Sequence, residues 1–300
     1  MAAACRPNPS SETTSPAEAL VLGRLAGKTM GTTYSIVYVA PDTSFLAKAT
    51  ELQIALDSAL LALNHEVSNW EPGSTVVRFN ESKAGLAVAG QAHFLANVRL
   101  AQAIGRASGG AFEPTILPLT DYWGFGAGQK RISAGVDTPY VKSLLRLIGI
   151  DKITIEADTF VRKTEPGVML DLGGSAKGYG VDLLAQLLRS RGLADFLIEI
   201  GGEMYAAGTK GGQPWQVGIN LPEEGAAFNA VAATMPLTDR AVATSGNYRN
   251  YYKVGGETYS HTLNPFSGFP ERNTLLSASV LAPDCATADA FATRLHGARP

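Results

Sequence analysis

Charge is what this chain has least of. Only 17% of its 300 residues are Asp, Glu, Lys or Arg, against about 25% in an average globular protein. The charge present has almost no net sign, since 25 basic residues face 27 acidic ones for a net of −2. A one-signed surface is what holds a nucleic-acid backbone through counterion release, so its lack argues against a nucleic-acid partner. Long apolar runs are also missing: nothing approaches the roughly 20 residues that a membrane-spanning helix needs. Cysteine is scarce, Cys5 and Cys285 alone, which leaves neither a disulfide framework nor a CxxC zinc site. The four histidines, His65, His93, His261 and His296, are scattered without metal-ligand spacing.

Glycine, by contrast, is abundant, 32 residues of 300 where about 7% is usual. Such an excess points to backbone that turns sharply or approaches something closely. The hydrophobic share of 45% is ordinary and sufficient for a packed core, and the length suits one large domain or two small ones.

Residues 1–21 are rich in Ala, Pro, Ser and Thr without periodicity and read as a flexible tether. Residues 22–300 are expected to form the folded domain, with two subregions meeting near 109–126 and 171–178. A strand is predicted over Met30 to Val39, where β-branched and aromatic residues crowd. Phe45, Ala49, Leu52, Leu56, Leu60 and Leu63 recur at three- and four-residue steps and predict a helix of about five turns. Further helices are predicted over His93 to Arg106, Pro139 to Ile148, Gly180 to Arg191 and Ala286 to Leu295. Strands are predicted around a 153–161 hairpin, Val168–Leu170, Phe196–Ile200, Trp215–Ile219, Val231–Pro236, Ala241–Thr244, Tyr248–Val254 and Ser277–Leu281, with Gly255-Gly256 closing a hairpin. Mostly consecutive strands with a few helices indicate an α+β fold of mainly antiparallel sheets flanked by helices.

Three segments could carry chemistry. In Asp171-Leu-Gly-Gly-Ser-Ala-Lys-Gly178, a glycine turn between strand and helix would aim backbone amides at an anion, with Lys177 as a point charge. A Walker A loop is disfavoured, because Gly178 stands where the Ser/Thr magnesium ligand belongs; a purely structural turn is the alternative. His261 lies between small hydroxyl residues ahead of an Asn-Pro turn, where an imidazole could reach a substrate. Asp289 and Thr293, four apart on a helix, could offer a carboxylate and a hydroxyl to one hard cation. On spacing alone, however, a cap from Asp284 or Thr287 with Asp289 as first-turn charge explains that segment equally well.

In this order the three segments resemble the ApbE-type FAD:protein FMN transferase family. Met30-Gly-Thr-Thr-Tyr34, Val67-Ser-Asn-Trp-Glu-Pro-Gly-Ser74 with Arg78-Phe-Asn80, Gly109-Gly-Ala-Phe-Glu-Pro-Thr115 with Tyr122-Trp-Gly-Phe125, Glu199-Ile-Gly-Gly-Glu203 and Trp215-Gln-Val-Gly-Ile219 add to the resemblance, which spans roughly 22–297. It implies a Mg²⁺-dependent enzyme that leaves the FMN half of FAD on a threonine of an acceptor protein, as a phosphoester, and releases AMP. By resemblance Met30, Trp70, Ala111, Phe112, Glu113, Asp171, Lys177 and His261 line the FAD site. The Gly174 carbonyl, Asp289 and Thr293 hold Mg²⁺, and His261 is catalytic beside the acceptor hydroxyl. An FAD pyrophosphatase giving free FMN and AMP, or a non-catalytic flavin-binding protein, are the alternatives.

The sequence departs from the family pattern in places. Glu113 stands where aspartate is usual, Asn264 replaces an aspartate after the histidine, Ser74-Thr75 lacks an acidic residue, and relatives continue for another element past the position of Pro300. Relatives commonly act on exported redox-complex subunits. Ala-Ala-Cys5 before a polar linker looks like the surroundings of a lipidated cysteine, so the expectation is a periplasmic protein tied to the inner membrane only through that residue, with its signal upstream of Met1. A cytoplasmic protein is the alternative.

Overall fold

The computed structural model of the chain describes residues 20–127, 135–223, 225, 227, 230–246, 251–254, 256–271 and 275–297. Residues 1–19 of the tether with Cys5, residues 248–250 of the expected 248–254 strand, and Gly255 of the expected hairpin turn lie outside them. In chain order the elements are β1 (Leu22–Thr29), β2 (Thr32–Val39), α1 (Ala49–Val67), α2 (Thr75–Glu81), β3 (Gly85–Ala87), α3 (Ala92–Ala107), α4 (Leu117–Tyr122) and α5 (Thr138–Leu145). There follow β4 (Ile153–Glu156), β5 (Phe160–Lys163), α6 (Gly173–Ser190), β6 (Phe196–Ile200), β7 (Glu203–Ala207), β8 (Trp215–Asn220), β9 (Val231–Leu237), β10 (Arg240–Gly246), β11 (Tyr251–Val254), β12 (Glu257–Ser260), β13 (Ser277–Ala282) and α7 (Cys285–Gly297).

A six-stranded sheet in the order β1-β2-β6-β7-β10-β13 is the frame. All of its pairings are antiparallel, so the fold is α+β as expected. Alternation along the strands sends Tyr34, Ile36, Phe196, Ile198 and Ile200 to one face, where they meet Leu52, Leu56 and Leu60 of α1 and Val181, Leu184 and Leu188 of α6. The opposite face is covered by the β8–β9 hairpin through Trp215, Val217 and Leu237. Beyond α1, a second core joins α2, α3 and the small β3-β5-β4 sheet around Phe79, Phe94 and Val161. A third gathers Trp123, Val141, Leu144 and Leu263, where the Trp123 indole N–H donates to the Gly268 carbonyl at 2.8 Å.

Three expectations need correction. Residues Met30 and Gly31 are not strand but the two-residue turn between β1 and β2, both with positive φ, 48° and 71°, as a type I′ hairpin requires. No strand forms at 168–170, where Met169 makes a single bridge to Ile116. And α6 starts at Gly173 rather than at Gly180. Gly173-Gly-Ser175 are weak helix formers, yet they are helical here, with Gly174 packed against Phe112 and Thr293 of α7.

Candidate active site

The opening of α6 sits where three segments converge. The Asp171 N–H donates to the Pro114 carbonyl at 2.7 Å, which pins the approach to the helix. The Asp171 carboxylate accepts the Gly173 N–H at 2.9 Å. Burial pushes this carboxyl above its usual range, against the pull of the Gly173 amide and Asn69. At the N-cap itself, Leu172 makes no side-chain hydrogen bond. One turn on, a Cβ placed on Gly178 would lie 2.3 Å from the Cys285 carbonyl oxygen. The bare glycine therefore lets α7 approach to backbone contact.

That contact fixes what α7 presents. The Gly178 N–H donates to Asp289 Oδ2 at 2.9 Å, and Thr293 Oγ1 lies 3.5 Å from the Gly174 carbonyl oxygen. Both side chains share the helix face expected from their spacing. The expected cap from Asp284 is present, but Asp289 is not a first-turn charge. Asp284 accepts the Thr287 N–H at 2.8 Å, and the Asp182 carboxylate takes the Cys285 and Ala286 N–H groups at 2.8 and 2.9 Å. Asp289 is buried against α6 instead.

Glu203 completes the cluster, and the sequence analysis did not single it out as a site residue. Its position follows from the β6–β7 turn, in which Gly201 and Gly202 both take positive φ, 57° and 99°, and drive the first residue of β7 inward. An acidic residue opening an otherwise apolar strand behind a Gly-Gly turn was the available signal. Lys177 Nζ lies 2.7 Å from Glu203 Oε1 and 3.7 Å from Asp289 Oδ1. Burial opposes the ammonium charge, but Asp289 and Glu203 outweigh it and hold the lysine protonated. Burial pushes the Glu203 carboxyl up to about 8 despite the nearby ammonium, and Asp289 is raised for the same reason.

A cavity of about 430 Å³ opens over this cluster. Ala111, Phe112, Glu113 and Asp171 form one wall, and Gly174, Lys177, Glu203, Asp289 and Thr293 the floor. His261 stands on the remaining wall with Thr244 and Ser245 of β10, its ring edge toward Phe125 at a centroid distance of 6.3 Å. Glu113 borders the cavity while both its oxygens brace the loop: Oε1 accepts the Thr115 N–H and hydroxyl at 2.8 and 2.5 Å, Oε2 the Ile150 N–H at 3.0 Å. Asn264 likewise shapes its own turn, accepting the Phe266 and Ser267 N–H groups and donating to Glu271 at 2.6 Å.

Met30 and Trp70 do not line this cavity. They line a second, of about 600 Å³, which shares Asp171, Gly173 and Lys177 with the first. Trp70 is 62% exposed there, an indole with a face to offer. Among the described residues no group of three or more His, Cys, Asp and Glu side chains could hold a metal ion.

Two chambers meeting at a helix amino terminus, with a lysine, clustered oxygen donors and a histidine, define an enzyme that acts on an extended phosphate-bearing ligand. The ApbE family model matches residues 30–300, and the chain belongs to this family. It is 35% identical to an FAD:protein FMN transferase of Vibrio cholerae over 90% of this chain and 80% of that one. To that of Haemophilus influenzae it is 33% identical, over 90% and 79%. Among solved structures, the flavin transferase ApbE from Vibrio cholerae superposes with a TM-score of 0.80 at 34% identity, covering 92% of this chain and 87% of that one.

Proposed function

We propose that this protein moves FMN from FAD to a threonine hydroxyl of an acceptor protein, forming a phosphoester and releasing AMP. One observation carries the reading: the two chambers share Asp171, Gly173 and Lys177. A dinucleotide can lay one half in each, with its pyrophosphate at the amino terminus of α6 and its scissile bond in the chamber that holds His261.

The acceptor hydroxyl oxygen attacks the phosphorus of the FMN half, the bridging P–O bond breaks, and its electron pair leaves with AMP. His261 takes the proton of the hydroxyl, a contribution of about 10²- to 10⁴-fold for a well-placed base. Lys177 and the amides of α6 face the negative charge that spreads over the phosphoryl oxygens. Asp171, tied to Gly173, keeps the first turn of α6 in place; Ala111, Phe112 and Glu113 line the same chamber.

The residues present also suit a divalent cation. Asp289, Thr293 and the Gly174 carbonyl are all hard oxygen donors. With all three groups ionised, the trio of Lys177, Glu203 and Asp289 carries one negative charge in excess, and among the described residues Glu203 Oε2 is buried without a hydrogen-bond partner. Asp289, Thr293 and Gly174 would hold Mg²⁺, which when bound supplies neutralisation of pyrophosphate charge. Location belongs to the same reading: an acceptor among exported redox-complex subunits and attachment at the membrane through Cys5. Among the described residues no helix is long and apolar enough to cross a membrane.

The deciding experiment incubates the protein with FAD and Mg²⁺, with and without a threonine-bearing acceptor protein. Covalent FMN on the acceptor with one AMP per transfer is expected. Free FMN with no covalent product would make water the acceptor, and intact FAD would overturn the enzymatic reading.

A further inference from the structure

Glu203 lies on the floor of the cleft, yet the mechanism above gives it no task. Its side chain is 4% exposed, and burying a carboxylate is expensive unless it is paired and hydrogen-bonded. Among the described residues only Oε1 is so served, by Lys177 at 2.7 Å, while Oε2 has no hydrogen-bond partner. A carboxylate kept here under such conditions acts on its neighbour. That neighbour, the Lys177 ammonium, is 3.7 Å from Asp289 Oδ1, close but short of hydrogen-bond contact. Without Glu203, the nearest remaining carboxylate is that of Asp289, and opposite charges in a low-dielectric cleft close to contact. Ammonium and divalent cation would then compete for one carboxylate.

We infer that Glu203 is a positioning residue: it holds Lys177 off Asp289, which keeps Asp289 open to a divalent cation and the ammonium beside the pyrophosphate position. The inference rests on the flavin-transfer reading for what the cation and lysine are for. Where Glu203 is ionised, removing its charge has two consequences of one sign, since it releases the ammonium onto Asp289 and also takes a negative charge from the cation's surroundings.

The test is a Mg²⁺ titration of the melting temperature of the FAD-free protein, paralleled by Mn²⁺ binding followed by electron paramagnetic resonance. Glu203→Gln should raise the half-saturating metal concentration on the order of tenfold or more. Lys177→Met should lower it, because a positive charge 3.7 Å from Asp289 Oδ1 is gone. In the transfer assay Glu203→Gln should need the same multiple of Mg²⁺ and regain most of the wild-type kcat at saturation, a pattern that a merely destabilising change does not produce. Half-saturation within twofold of wild type in Glu203→Gln would overturn the inference, as would unchanged or weaker metal binding in Lys177→Met, which decides alone if Glu203→Gln does not fold. A wild type that transfers no FMN while both variants shift as stated would overturn the functional reading and support this arrangement.

Discussion

At the scale of single residues, the cleft separates groups that bind from a group that reacts. His261 lines the chamber but belongs to neither α6 nor α7, so its loss leaves the helix terminus, the lysine and the oxygen donors in place. His261→Ala is expected to lower transfer by about 10²- to 10⁴-fold with the Kd for FAD within a few fold of wild type, because a base acts mainly in the transition state. Stopped-flow transfer and flavin fluorescence titration on the same preparation check this; parallel losses in both would remove His261 from the reaction. Met30 shows the opposite economy. A non-glycine residue at φ 48° carries backbone strain of order 1 kcal/mol, and it does so where its side chain lines the second chamber. Strain kept at such a position is motive to look for a ligand contact.

At the scale of elements, the site depends on α6 and α7 touching without side chains between them. Gly178→Ala would place a methyl 2.3 Å from one backbone oxygen and 2.7 Å from the Ala286 Cα, atoms that cannot rotate away. The helices must part, at a cost of about 1–3 kcal/mol or more, and Asp289 moves with α7. A fall in the urea midpoint of unfolding, accompanied by a raised Mg²⁺ requirement, is expected; an unchanged midpoint would show that the helices have room. The same contact explains what could be read from the sequence. Helices α1, α3, α5 and α7 declare themselves by apolar residues at three- and four-residue steps. The first turns of α6 do not, because Gly173-Gly-Ser175 are helical only through tertiary contact. β7 escaped notice because Glu-Met-Tyr-Ala-Ala has little β-branched character, and with it went Glu203. Asp289 and Thr293 were legible as a pair from their spacing, whereas their meeting with Gly174 joins residues 119 positions apart, which no local pattern encodes.

At the scale of the whole molecule, pH acts on stability through the buried carboxyls. Burial raises the carboxyls of Asp182, to about 6, and Glu203, to about 8. It raises those of Glu113, Asp121, Asp171 and Asp289 as well. In the unfolded chain these groups titrate near 4. Between about pH 4 and pH 8 the folded state therefore binds more protons than the unfolded state, and stability falls as pH rises through that window. The contribution is fully present below the unfolded values and is lost as each folded value is passed. The metal-free protein should accordingly melt at a higher temperature at pH 5 than at pH 8 at fixed ionic strength. A cation binds the ionised form of Asp289 and offsets the excess negative charge around Lys177, so Mg²⁺ should raise the melting temperature more at pH 8 than at pH 5. Calorimetric scans at four pH values with and without Mg²⁺ check both slopes. A metal-free melting temperature that climbs from pH 5 to pH 8 would mean that these carboxylates are better solvated, or better paired, than their burial implies.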